Sequence, residues 1–421
     1  MPEDLCPTLH RPALTSAPAT SKVWGCFQFL SGRSSMGKHV VSRRAGVFTF
    51  IASVVVLAGV AGNAPADSWK FLVCGDSRGT STANQINTNV LKEIAYAITN
   101  EQPAFVLFAG DLVNSGNDTA FRAWTNIMAP VYQAGIGLYP VMGNHDTAAV
   151  SAYTNIFGPG LPANGPSGEL YRTFSFCYSN ALFLGLDNYV NLDRVNQAWV
   201  DSVLATNYMP HVFAYGHVPA FVVDTHDTLG NYVSQRDVFW RSLEAVGAKA
   251  YFCGHAHFYD HARLDSGDGN SSNDVHQFVV GTAGAPLGAA TPTYTGNNSS
   301  WTPQGILHEA QYGYLVVEIS RLDVTMTWKH RIGPSNYVAA ADILSYSIVP
   351  RPARMDIDVS DAGFAVVSSN LVATASNRIE VSDDLLSGVW TSAVEFVSFS
   401  NRCSQLLPMD RTNAFYRIRT K

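Results

Sequence analysis

Charge is scarce in this chain. Of its 421 residues only 14% are Asp, Glu, Lys or Arg, and the formal balance is -6. There is no basic excess to neutralise a phosphate backbone, so no nucleic-acid interface is expected. Cysteine patterning is missing too: the six cysteines, at 6, 26, 74, 177, 253 and 403, form no CxxC pair and no zinc-finger spacing. Cys74, Cys177 and Cys253 sit in apolar, strand-like runs, where the expected role is that of a small buried hydrophobe rather than a disulfide. What the chain does have is apolar content of 47%, enough for a large core and more than one domain. Its 33 glycines, with many Asn, Ser and Thr, indicate long irregular loops on a compact frame.

Residues 36–66 read as a secretory signal. Lys38, Arg43 and Arg44 form a positive start, an uncharged and mostly apolar run follows from Ala45 to Gly62, and Ala64-Pro65-Ala66 supplies small residues at the -3 and -1 positions. Cleavage near Ala66 would release a secreted or periplasmic protein; an uncleaved anchor is the competing reading, since the run approaches spanning length. Residues 1–35 carry neither signal nor core character, and with Met36 where a signal should begin they are expected to be a gene-model extension.

From Ser68 the pattern is β-α-β-α-β, a parallel α/β frame. Trp69–Cys74, Ala104–Ala109 and Leu138–Met142 are apolar strand-like runs, with helical periodicity over 84–99 and about 118–134. Strand pairs are expected at 170–175 and 181–186. Further strands are expected at 211–215, 250–253, 275–281 and 313–330, with helices over 193–205 and 234–247. Segments 151–168, 265–274 and 284–308 read as loops. After Pro350-Arg351-Pro352 the segments become short and alternating, with no helix-period stretch, so 351–421 is expected to be a small β module.

Strand after strand ends on glycine followed by metal-ligand residue types: Gly75-Asp76, Gly110-Asp111, Gly143-Asn144-His145-Asp146, Gly216-His217 and Gly254-His255-Ala256-His257. In open α/β sheets the carboxyl edge is where ligands bind. Any one of these is ordinary turn chemistry or a satisfied core histidine. Together they place every ligand-type group at one edge. Asn offers a metal a neutral oxygen, the Asp111 carboxylate has two oxygens and could bridge two ions, and His255 and His257 point the same way at strand spacing. Oxygen and nitrogen donors without thiolate suit zinc, iron or manganese.

In this order and spacing, across about 70–333, the motifs resemble the calcineurin-like metallophosphoesterases, in the branch near purple acid phosphatases and extracellular phosphodiesterases. The resemblance implies an α/β/β/α four-layer sandwich over 67–335 with two divalent or trivalent ions (Fe, Zn or Mn) at the sheet edge. It implies Asp76, Asp111 and His257 for one ion, and Asp111, Asn144, His217 and His255 for the other. His145 would be the general acid that protonates the leaving oxygen after attack of a metal-bound hydroxide. Asp146 is expected to orient rather than ligate. The first motif departs from the family, where Asp-x-His is usual: here it is Asp76-Ser77-Arg78. A guanidinium has no lone pair, so Arg78 is expected to clamp a phosphate oxygen or pair with a carboxylate, and Asn114 or water to complete the first metal's shell.

The expected activity is hydrolysis of small-molecule phosphate mono- or diesters by an exported, bacterial-type enzyme. The alternative is a surface-binding or adhesion protein that keeps the fold without catalysis, motivated by Arg78 and by the C-terminal module. Four loop histidines, His226, His261, His276 and His308, flank the motifs; any of them could touch substrate, but ordinary exposed residues are the plainer expectation.

Overall fold

The structure is a computed structural model; it describes residues 68–421 apart from 208, 289–290, 296–298, 349–353, 361–362, 370–375, 383–388, 398–402, 408–414 and 421. The expected extension and signal segment, 1–35 and 36–66, lie outside the described residues. Two sheets dominate. The first has six strands in the order Asn336–Ser347, Asp323–Gly333, Gly313–Ser320, Ser68–Cys74, Phe105–Phe108 and Gly137–Pro140, the last three parallel and the others antiparallel. The second has seven, in the order Thr302–Glu309, Tyr259–Asp265, Val275–Val280, Ala250–Cys253, His211–Tyr215, Ala181–Gly185 and Phe174–Tyr178.

Strand alternation explains the layering. Phe71 and Phe105 of the first sheet meet Phe183 of the second at ring distances of 5.0 and 5.1 Å, edge to face, and Phe71 meets Phe213 at 5.3 Å. The neighbours of these inward residues face the other way. Leu182, Leu184, Val212 and Ala214 share a core with Trp199, Val200, Phe239 and Trp240 from the helices Gln197–Ala205 and Val233–Ala245. On the first sheet Phe108 turns outward to Trp124 of the helix Asp118–Ile127 at 5.2 Å, beside the helix Thr88–Glu101. Both sheets are thus covered by helices outside and by each other inside, the four-layer arrangement expected from the resemblance. Parallel strands buried on both faces need such runs of apolar residues.

Several boundaries differ from the sequence reading. Segment 151–168 is not all loop: Val150–Phe157 is a helix followed by a tight turn at Gly158–Gly160. The helix expected around 118–134 breaks at Met128, where Pro130 opens a second short helix, Ala129–Gln133. Thr302–Glu309, inside the expected loop 284–308, is an edge strand of the second sheet. The first sheet also continues past residue 335 through Asn336–Ser347. Beyond it, strands Arg354–Ser360, Gly363–Ser369 and Cys403–Leu407 form one three-stranded sheet, and Thr391–Val397, Ser376–Ser382 and Phe415–Thr420 another. These fit the expected all-β module. Cys74 and Cys253 are free and buried, as expected, whereas Cys177 is disulfide-bonded, contrary to the expectation for it. An apolar strand context cannot separate a buried thiol from a half-cystine.

Candidate metal centre

The carboxyl ends of both sheets meet at one edge and are tied by their own backbones. Asp76 donates its N–H to Gly110 O (2.9 Å), Gly254 donates to His217 O (2.9 Å), and the His255 N–H reaches the Asp76 carboxylate at 3.1 Å. Glycine is needed here for closeness. A Cβ on Gly143 would lie 2.1 Å from Asp111 Oδ1, and one on Gly254 would lie 2.1 Å from Asp76 Oδ2. Asp76, Asp111 and His255 themselves take left-handed backbone, at φ 59°, 51° and 69°.

The six ligands expected from the strand-end motifs come to this edge, whereas Asn114, offered for the first metal's shell, turns its side-chain oxygen to Arg78. His217 Nδ1 donates to Ala109 O at 2.7 Å, which leaves Nε2 with its lone pair toward the site. That Nε2 lies 3.1 Å from Asn144 Oδ1, 3.2 Å from His255 Nδ1 and 3.5 Å from Asp111 Oδ1. Asn144 Oδ1 is also 3.1 Å from His255 Nδ1. On the other side His257 turns Nδ1 to Pro286 O (3.0 Å) and Nε2 to Asp76 Oδ1 (3.6 Å). Asp76, Asp111 and His217 are buried, with ligand atoms that all lie within 4.8 Å of one another.

The donor set fits metal ions. His217 Nε2, Asn144 Oδ1 and His255 Nδ1 converge, and with the His255 proton on Nε2 all three turn lone pairs toward one point. Their 3.1–3.2 Å separations approach the ~3.3 Å edge of a tetrahedron with 2.0–2.1 Å metal bonds. Burial pushes His217 and His255 down to about 3 and His257 to about 4, so all three stay neutral and able to ligate. Burial first, then the neighbouring Asp111, raises the Asp76 carboxyl well above its usual range; burial likewise raises Asp111. Two desolvated carboxylates facing neutral imidazoles are a cavity for positive charge.

The other expected residues surround this set. His145 donates Nδ1–H to Asn114 O (2.6 Å), fixing the ring so that Nε2 lies 3.9 Å from Asp111 Oδ2. Asp146, buried, accepts from the N–H groups of Leu112, Val113 and Gly143 at 3.2, 3.3 and 3.0 Å, the orienting role expected of it. Arg78 Nε lies 3.6 Å from Asp111 Oδ2, the carboxylate pairing expected as one of its two roles. Asn114 turns Oδ1 toward Arg78 Nη1 (3.5 Å), so it holds Arg78 and His145.

Of the flanking histidines, His226 is brought to the site. Its ring centroid lies 5.2 Å from that of His255 and 5.9 Å from that of His257, and Asp224 Oδ2 is 2.7 Å from its Nδ1. His226 is exposed as expected, and of the four it is the one that stands over two of the ligands, where a substrate contact is open to it. His261, His276 and His308 are buried or nearly so, not exposed: they sit in the strands Tyr259–Asp265, Val275–Val280 and Thr302–Glu309 and bond Asp342, one another and Asp260.

Residues 70–259 match the family model of the calcineurin-like phosphoesterases, and that segment is a calcineurin-like phosphoesterase domain. Among solved structures the chain is similar to the purple acid phosphatase PPD1 of yellow lupin seeds, at 16% identity and a TM-score of 0.51, over 66% of this chain and 54% of that one. The chain therefore spans about half of the lupin enzyme's length. It is also similar to GAP50, the anchor in the inner membrane complex of Plasmodium, at 13% identity and TM-score 0.48 over 67% and 89% of the two chains. A third likeness is to PhoD, at 12% identity and TM-score 0.47 over 67% and 70%. No curated protein matches the chain in sequence.

Proposed function

We propose that the protein is an exported, binuclear metal-dependent phosphoesterase acting on small phosphate mono- or diesters. The convergence of three ligand-type atoms, His217 Nε2, Asn144 Oδ1 and His255 Nδ1, within 3.1–3.2 Å of one another carries this reading. Asp76, Asp111 and His257 would hold one ion and Asp111, Asn144, His217 and His255 the other, with Asp111 shared. When bound, such ions activate water as a nucleophile and neutralise charge on the phosphoryl oxygens. His145 is the general acid. Its Nδ1–H is held by Asn114 O, so the proton delivered to the leaving oxygen comes from Nε2. Arg78 and the exposed His226 flank the same opening as cationic contacts for a phosphate. Export is supported by the signal-like segment 36–66 and by a disulfide at Cys177, a bond that persists in oxidising compartments. No helix among the described residues is long and apolar enough to cross a membrane.

The test combines metal analysis with turnover of an aryl phosphate and an aryl phosphodiester after loading with manganese, zinc or iron. Protein that takes up no metal, or takes it up and hydrolyses neither substrate, is a binding protein on this fold, and the proposal fails. His145→Ala is expected to cut kcat by about 10²–10⁴-fold with metal content intact. If that variant instead loses metal, the acid has been misassigned.

A further inference from the structure

The wall of the site beside His217 carries two adjacent donors that no described residue satisfies. Asn188 Oδ1 accepts from the N–H groups of His217 and Val218 at 2.9 and 3.0 Å, so Nδ2 is the donor end of this amide. Asn188 is fully buried, and its Nδ2 has no hydrogen-bond partner among the described residues. Neither has the buried hydroxyl of the next residue, Tyr189, whose ring centroid lies 6.0 Å from the His217 imidazole.

The loop that presents Tyr189 is held firmly. Asp187 Oδ1 accepts from the N–H groups of Tyr189 and Val190 at 2.6 and 2.8 Å, while Asp187 Oδ2 takes the Arg172 Nε at 2.7 Å. The return of the loop is fixed by Asp193, which donates its N–H to Asn188 O at 2.8 Å from a left-handed conformation, φ 55°. A well-anchored loop that strands a buried hydroxyl costs stability, and such orphans in native proteins call for a ligand or a function. A neutral phenol is a hydrogen-bond donor, here beside the acceptor-rich set of carboxylates, Asn144 and imidazoles.

We propose that Tyr189 is a substrate-contact residue whose hydroxyl donates to a non-bridging oxygen of the phosphoryl group held at the metal centre. This deepens the phosphoesterase reading and rests on it. The donor sits on the His217 side, and Arg78 lies against Asp111, so the phosphoryl group would have a neutral donor and a cationic one in addition to the ions. No proton is transferred by Tyr189; it fixes orientation.

Tyr189→Phe deletes only the hydroxyl. The experiment compares full-length wild type and variant by calorimetric titration of inorganic phosphate into manganese-loaded protein, by metal stoichiometry, and by the Tm of the metal-free proteins. The expected result is phosphate binding about 10- to 100-fold weaker, the range for one hydrogen bond to a charged group. Metal content should be unchanged, and the metal-free Tm equal or higher by about 2–4 °C. Equal phosphate affinity overturns the assignment. So does loss of a metal equivalent, which would make the phenol a ligand, or a metal-free Tm lowered by several degrees, which would give the hydroxyl a structural partner. Wild-type protein that binds neither manganese nor phosphate overturns the phosphoesterase reading and this one with it, an outcome distinct from a defect confined to the variant.

Discussion

At the scale of single residues the site is built from unfavourable conformations. Asp76, Asp111 and His255 each adopt a positive φ (59°, 51° and 69°), which costs a non-glycine residue on the order of 1–3 kcal/mol. The surrounding hydrogen bonds, such as Asp76 N–H to Gly110 O, hold them there so that ligand atoms from different strands meet. His226 reaches the same point from a loop, and its role is testable. Its Nδ1–H donates to Asp224, and that hydrogen bond holds its pKa above the ordinary histidine value. With a folded-state pKa raised, its help to an anionic substrate is present at low pH and is lost as pH rises through that pKa. His226→Ala should lower kcat/KM for an aryl phosphate about 10-fold on the acid side of the profile, with metal content unchanged and a gap that closes as pH rises through the His226 pKa. A pH-independent ratio between the two proteins would show that the charge of His226 plays no part.

At the scale of elements, the glycine that ends each strand is the structural signature of the site. Gly254 faces Asp76 so closely that a methyl group would fall 2.1 Å from Oδ2. Gly254→Ala should therefore push Asp76 out of place and weaken metal binding by about 10-fold or more, with a smaller effect on Tm. Retention of full metal affinity would mean that the Asp76 carboxylate is not a ligand. This regularity is also why so much could be read from sequence. Continuous apolar runs gave the inner strands, buried on both faces, and Gly followed by Asp, Asn or His gave the ligand set together with its edge. The ribbon-like parts were less legible. Thr302–Glu309 is an edge strand with mostly half-exposed residues, so it lacks the apolar run that marks a central strand. Asn336–Ser347 begins next to a turn and pairs with Asp323–Gly333 through two register irregularities, which blurs its alternation. Tyr189 was not legible as a site residue at all, and His226 only as one of four flanking histidines open to substrate contact. Their places depend on loop paths set by side-chain bonds, from Asp187 and Asp224, and loop paths have no period.

At the scale of the whole molecule, the strand past residue 335 does more than widen a sheet. Asp342, in Asn336–Ser347 of the first sheet, accepts from Tyr259 OH at 2.5 Å and from His261 Nδ1 at 2.8 Å, both in the second sheet. His261 Nε2 continues to His276 Nδ1 at 2.7 Å, so a buried polar chain joins the two sheets. His276 is the end that responds to pH. Burial first, then the nearby His261, Arg263 and Lys249, pushes its pKa down to about 3, with only Asp342 opposing. The folded-state pKa is below the unfolded value of about 6.5, so the unfolded chain binds the extra proton. Stability from this group is complete above pH 6.5 and is lost as pH falls from 6.5 toward 3, at up to about 1.4 kcal/mol per pH unit. Between pH 6.5 and 5 the wild-type protein should therefore lose up to about 2 kcal/mol more than His276→Gln, read from urea midpoints at constant m. The metal-site histidines titrate alike in both proteins, so their share cancels in the difference. Parallel pH dependence of the two proteins would mean that His276 is protonated in the folded state too, and that the chain between the sheets accommodates the charge.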